Sequence, residues 1–318
     1  MRRARLSLKI NSLPFRGIVM HFLMLLAMTP SSMSLAAAVV PTSVNWRTLE
    51  LQDSGLTGSV TTRIDLRQLP AAEVQPALLE TPDTMSPRAV GARVQELVVA
   101  SSIRLLLGVR METEERLWFN ADDGLPLQLM RLRQGSKPSQ KSYRFGRHLV
   151  YRLRRQPADK AETDQPAEHW SEVSESYYHL VGADAGCPAI LESSQLLYLL
   201  SSPDRVFSEQ AVEHCVFDRQ RVYRVGFRSL GREQVEVDYQ QVAAGQETRV
   251  RETLLAYHVV LDVRPVEVSP EDDESFSFLG LQGEIHMLLS DRGRIPLRVR
   301  GQVPGFGIIQ LELETLTR

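Results

Sequence analysis

The sequence predicts a mainly β protein: a curved antiparallel sheet or half-barrel with one principal helix packed on it. Three observations carry this. Apolar and polar residues alternate with period two from about residue 57 to the end of the chain. Short turn-forming clusters separate the alternating runs. Only one stretch shows convincing helical spacing.

The alternation is plainest at the C-terminus, where Ile309, Leu311 and Leu313 interleave with Gln310, Glu312 and Glu314. Val235, Val237 and Tyr239 alternate with Glu236 and Asp238 in the same way, and Tyr223, Val225 and Phe227 with Arg224 and Arg228. Leu149, Tyr151 and Leu153 alternate with Arg152 and Arg154. Strands of this kind belong to antiparallel sheets with one face buried and one wet. Asp122-Asp123-Gly124, Ser229-Leu230-Gly231, Ala244-Gly245 and Asp291-Arg292-Gly293 are predicted hairpin turns. The helix is predicted over 188–200, with Pro188 at its first position and Ile190, Leu191, Leu197 and Leu200 on one face. A weaker helical segment falls within 71–80, interrupted by Pro76. Residues 156–169 and 269–275 lack the apolar content to enter a core and read as exposed loops.

The N-terminus has a different character. Arg2, Arg3, Arg5, Lys9 and Arg16 precede any carboxylate, the first of which is Glu50. An 11-residue apolar run, Ile18 to Met28, follows, and small residues at 34–38 suit a signal peptidase. The run is shorter than the roughly 20 residues a spanning helix needs. The expected organisation is a signal peptide over 1–36, a connecting segment over 37–56 and an antiparallel β domain over 57–318. An uncleaved signal anchor is the alternative. No cysteine lies beside the cleavage candidates, so lipid attachment there is excluded. With the five leading cations removed from 37, against 39 acidic residues, the net charge becomes −7. That argues against nucleic acid as a partner. No later stretch is apolar enough to span a bilayer, and the expected location is the periplasm or another exported compartment.

Cys187 and Cys215 are the two cysteines. Export places them where disulfides persist, and a bridge is the natural reading, with two buried free thiols as the alternative. No zinc-type spacing, nucleophile elbow or phosphate-cradling glycine loop occurs, so no catalytic residue, metal or cofactor is expected. His148, His169, His179, His214, His258 and His286 are scattered along the chain. The densest unusual feature is basic: Arg131 to Arg155 holds nine Lys or Arg and no acid, with Tyr143, Phe145 and Tyr151 interleaved. Two readings stand beside each other, a patch for anionic headgroups or polymer phosphates and the wet face of an antiparallel pair.

Residues 117–129 (LWFNADDGLPLQL) and 287–299 (MLLSDRGRIPLRV) align without gaps at an offset of 170, with Pro126 matching Pro296 and Leu127 matching Leu297. Each reads strand, charged turn, strand, with Pro at a strand beginning.

The segments QLLYLLSS (195–202), VFDRQRVYRVGFRSLGREQVEV (216–237) and MLLSDRGRIPLRVRGQVPGFGIIQLEL (287–313), with LPLQLMRLRQG (125–135) and KSYRF (141–145), resemble the periplasmic proteins grouped as domain of unknown function 3108. The resemblance covers about residues 90–318. It implies a curved sheet like that of the outer-membrane lipoprotein carriers and no established activity. The cysteine pair and the insertion near 156–169 depart from the family pattern.

A curved sheet closed by a helix presents a concave apolar face. The leading expectation is a non-catalytic envelope protein that binds an acyl chain or amphipathic envelope component there, lined by Trp118, Leu127 and Leu129 from one echoed hairpin and Leu288, Leu297 and Val299 from the other. The alternatives are a structural or assembly protein docking onto another envelope protein, and an enzyme of unrecognised type.

Overall fold

The computed structural model describes residues 43–55, 58–105, 110–180, 186–187, 189–203, 207, 212–267 and 275–318. The predicted signal segment and most of the predicted 269–275 loop lie outside the described residues.

Among the described residues, fifteen strands form one sheet. They are β1 (Thr48–Gly55), β2 (Gly58–Pro70), β3 (Arg93–Leu105), β4 (Arg110–Asn120), β5 (Pro126–Gln134), β6 (Ser139–Phe145), β7 (Leu149–Gln156), β8 (Glu172–His179), β9 (Ile190–Glu192), β10 (Glu213–Asp218), β11 (Arg221–Ala243), β12 (Gln246–Pro265), β13 (Gln282–Ser290), β14 (Pro296–Val303) and β15 (Gly307–Thr317). Each of β1 to β7 pairs antiparallel with the next, and β1 also pairs with β15. The segment expected to be only a connector therefore contains a strand. On its other edge β15 meets β14 as far as Glu312, and then β11, in parallel, at Thr315–Thr317. Strands β11 to β15 thus close into a ring, and β1 to β8 extend from it. The closing contact covers only Gln240–Val242 of β11, and β8 and β9 remain the terminal strands of the sheet.

Among the described residues, three short helices accompany the sheet: α1 (Ala71–Val74), α2 (Lys160–Thr163) and α3 (Gln195–Leu200). The helix predicted over 188–200 is realised only as α3. Ile190–Glu192 instead forms β9, paired in parallel with β10. All six residues of α3 are buried. A helix buried on every side is a core element. The segment 156–169, predicted to be a loop, contains α2, capped by the Asp159 carboxylate accepting from the Glu162 N–H.

Three of the four predicted turns join consecutive strands. At Ala244-Gly245 both φ angles are positive (50° and 77°), as a two-residue hairpin of primed type requires. The fourth, Ser229-Leu230-Gly231, is not a turn. It is a bulge within the 23-residue β11, with Leu230 the extra residue between the Ser229–Val259 and Gly231–His258 pairs. A glycine at φ 106° serves a bulge as well as a turn, so composition alone does not separate the two.

The main core lies inside the curve. Tyr143, Phe145 and Tyr178 from the first half close around Phe217 of β10, and Phe119 packs edge-on against Tyr198 of α3 at 5.3 Å between centroids. The disulfide Cys187–Cys215, with Cα atoms 5.6 Å apart, ties the approach to β9 onto β10. A smaller core of Val74, Val94, Trp118 and Leu127 forms under α1 on the opposite face of β3 to β5. Two arginines, the half-buried Arg88 and the buried Arg144, secure that side. Arg88 donates to the carbonyls of Gly146, Pro126 and Ile190, and Arg144 to those of Leu127 and Arg88. Burial pulls both guanidinium pKa values down to about 10, and carbonyl oxygens take the place of water around them.

Candidate functional site

The cross-strand register arranges the inner face of β2 to β7 in rows. Nearest the core runs Leu66, Leu97, Leu117, Leu129, Tyr143, Arg152. The next row is Ile64, Val99, Glu115, Arg131, Lys141, Arg154. Beyond it come Thr62, Ser101, Thr113, Arg133, Ser139, and then Val60, Ile103 and Met111. One curved surface therefore changes from apolar on β2 and β3 to cationic on β5, β6 and β7.

Each half of this surface is covered from the second half of the chain. Over β2 to β4, residues Leu279–Leu281 and the β14–β15 hairpin (Val303, Pro304, Phe306, Ile309, Leu311) enclose a mainly apolar trough of about 340 Å³ whose lining also includes Glu115. Over β5 to β7, Arg219 and Gln220 of the β10–β11 turn close a pocket of about 360 Å³. Its lining includes Arg131, Arg133, Lys137, Lys141, Arg154 and Arg219 and no carboxylate. Trough and pocket share Thr113, Arg133 and Arg219. Arg219 holds φ at 58°, a left-handed conformation uncommon outside glycine, which carries its side chain to the junction.

The electrostatics are uneven. Arg131 faces Glu115, with Nε 2.5 Å from the carboxylate, and its guanidinium lies 3.9 Å from Asp218. Burial opposes the charge on Arg131, but Glu115 and Asp218 more than reverse that and hold its pKa above the ordinary arginine value. Among the described residues, Arg133 and Arg154 have no ion pair, and the buried Nε of each has no hydrogen-bond partner. Beneath the pocket, Glu192 accepts from the Ser193 hydroxyl and from the Ser194 N–H and hydroxyl. Asp218 accepts from the Ser277 N–H. Burial, reinforced by neighbouring carboxylates, raises the Glu192 carboxyl to about 7 and that of Asp218 to about 6.

No protein-family model and no curated protein matches this chain. The resemblance to the domain of unknown function 3108 family is therefore not confirmed. The chain is similar to a solved beta-barrel-like protein of domain of unknown function DUF1849 from Brucella abortus. The two share 10% identity at a TM-score of 0.43, over 86% of this chain and 98% of that one.

The six residues expected to line a ligand site, Trp118, Leu127, Leu129, Leu288, Leu297 and Val299, are all buried. Trp118 and Leu127 belong to the small core under α1, and the other four to the main core. None lines the trough or the cationic pocket. Leu297 reaches the wall of a separate cleft of about 1040 Å³, where Asp238 pairs with Arg249 and Arg251, and Glu312 with Arg298. The reading of the 131–155 cations as a wet sheet face is corrected for Arg131, Arg133, Lys141, Arg152 and Arg154, which share the inner face with Leu129 and Tyr143. Their signal was present in the sequence, since Leu129, Arg131 and Arg133 are spaced by two. The histidines are less scattered than the sequence implied. His258 and His286 meet across β12 and β13, Nε2 to Nδ1 at 2.9 Å, and burial lowers the pKa of His258. No group able to hold a metal ion occurs among the described residues, and no described helix is long and apolar enough to cross a membrane.

Proposed function

We propose that this is an exported, non-catalytic binding protein for an anionic amphiphile, with the hydrocarbon in the β2–β4 trough and the charged head in the β5–β7 pocket. The observation that carries this reading is the abutment of an apolar trough and a cationic pocket through Thr113, Arg133 and Arg219. Each volume lies near the lower end of the usual range for small-molecule sites. An acyl chain contributes about 0.8 kcal/mol per buried CH₂, so about eight groups contribute about 6 kcal/mol before ordering costs. Export is supported by the basic, apolar and small-residue succession at the N-terminus and by the disulfide.

The test is displacement of an environment-sensitive acyl probe from the purified protein. Ser101→Trp, which places an indole in the trough, should abolish probe binding while the circular dichroism spectrum stays native. Saturable binding that survives in Ser101→Trp, and equally in a Val99→Trp protein, would show that the chain does not lie there.

A further inference from the structure

Resting on that reading, we infer that the head recognised by the β5–β7 pocket is a phosphate monoester, carried on the amphiphile, rather than a carboxylate.

The second row of the inner face sets Arg131, Lys141 and Arg154 directly opposite one another on three successive strands, with one carboxylate, Glu115, at its end. Like charges facing each other across a ladder destabilise the sheet. Glu115 is committed to Arg131, and the buried Asp218 lies 3.9 Å from both Arg131 and Arg219. Arg133 and Arg154 remain without an ion pair among the described residues, and Lys137 stands at the rim. One carboxylate would offer a single charge and two oxygens to this group. A phosphate monoester carries about −1.5 to −2 near neutral pH and presents three strong acceptor oxygens. Guanidinium forks bind phosphate oxygens in pairs, and two such forks arrive here from different strands, β5 and β7. Ser139 and the Tyr143 hydroxyl lie on the same wall and supply neutral donors. Burial raises the pKa of Tyr143, which keeps its hydroxyl protonated and able to donate. The apolar trough adjoining the pocket at Arg133 gives the ester substituent of such a head a place to go.

Calorimetric titration of the purified protein with decyl phosphate, decanoate, decyl sulfate and inorganic phosphate, all at pH 8, tests this. Decyl phosphate should bind about tenfold or more tighter than either decanoate or the singly charged sulfate. The preference should shrink as the pH falls through about 6, where the monoester loses its second charge. Arg133→Ala and Lys137→Ala should each weaken decyl phosphate more than decanoate, and Lys137, at the exposed rim, reports even where Arg133→Ala impairs folding. Equal affinities for decanoate and decyl phosphate would overturn the phosphate assignment and leave the amphiphile reading intact. Binding of inorganic phosphate as tight as that of decyl phosphate would uphold the phosphate pocket and overturn the role of the trough. Failure of every probe to bind would overturn both.

Discussion

Arg131 and Glu115 face each other on neighbouring strands of the inner sheet, Nε 2.5 Å from Oε1, with both side chains about four-fifths hidden from solvent. This pair marks where the charged part of the surface begins. Strandward of it lie Val99 and Ile64, and on the other side lie Lys141 and Arg154.

Glu115→Gln should therefore free Arg131 for the ligand and strengthen binding of a decyl phosphate probe several-fold. The same change removes a partner from a largely buried guanidinium, so a stability loss on the order of 1–3 kcal/mol should accompany it. Calorimetric titration and urea unfolding measure the two effects. Weaker phosphate binding in the variant would show that Glu115 positions Arg131 rather than occupies it.

The buried carboxyls make a pH prediction. Glu192 and Asp218 keep their protons to higher pH in the folded protein than in the unfolded chain, where they titrate near the ordinary values of 4.5 and 3.8. The folded state then binds more protons, and the stability this contributes is complete below about pH 4 and is lost as the pH rises through about 6 and 7. Glu192→Gln, which keeps an acceptor for the Ser194 N–H, should raise stability at pH 8 by on the order of 1–3 kcal/mol and have little effect at pH 4. Thermal melts across that range check it. A variant equally destabilised at both pH values would place the charge of Glu192 outside the linkage.

The disulfide encloses the α3 region, with 28 residues of sequence separation between its cysteines. On the chain-entropy estimate its loss costs about 3.6 kcal/mol. The Cys187→Ser/Cys215→Ser protein should melt roughly 10 °C lower while keeping the sheet spectrum. An unchanged melting temperature would mean that the buried α3 and β9 are held by packing alone.

The echoed hairpins show how far the sequence carries. Phe119 pairs with Pro126 across a one-residue irregularity after Trp118, and Leu289 pairs with Pro296 across the same irregularity after Leu288. The closing hydrogen bonds also correspond, from the Asn120 N–H to the Leu125 carbonyl and from the Ser290 N–H to the Ile295 carbonyl. Gly124 and Arg294 take the same left-handed position in the two turns, at φ 66° and 54°. The gapless alignment thus maps onto shared geometry, because turn and bulge are local and are dictated by neighbours in the chain.

By itself the sequence determined the β class, most turns, the cysteine pairing, and which residues alternate. Those properties depend on period and turn chemistry within a few residues. Only the tertiary structure decided which side of each strand is inside. At Leu129, Arg131 and Arg133 one strand face runs from core to cationic pocket, and alternation is the same whichever face is wet. Ile190–Glu192 likewise pairs with β10 instead of extending α3, a contact no local pattern announces. The trough and pocket are built where β2 to β7 meet the 279–281 segment, the β14–β15 hairpin and the Arg219 turn. Those contacts join residues more than sixty positions apart in the chain, and no local pattern encodes them.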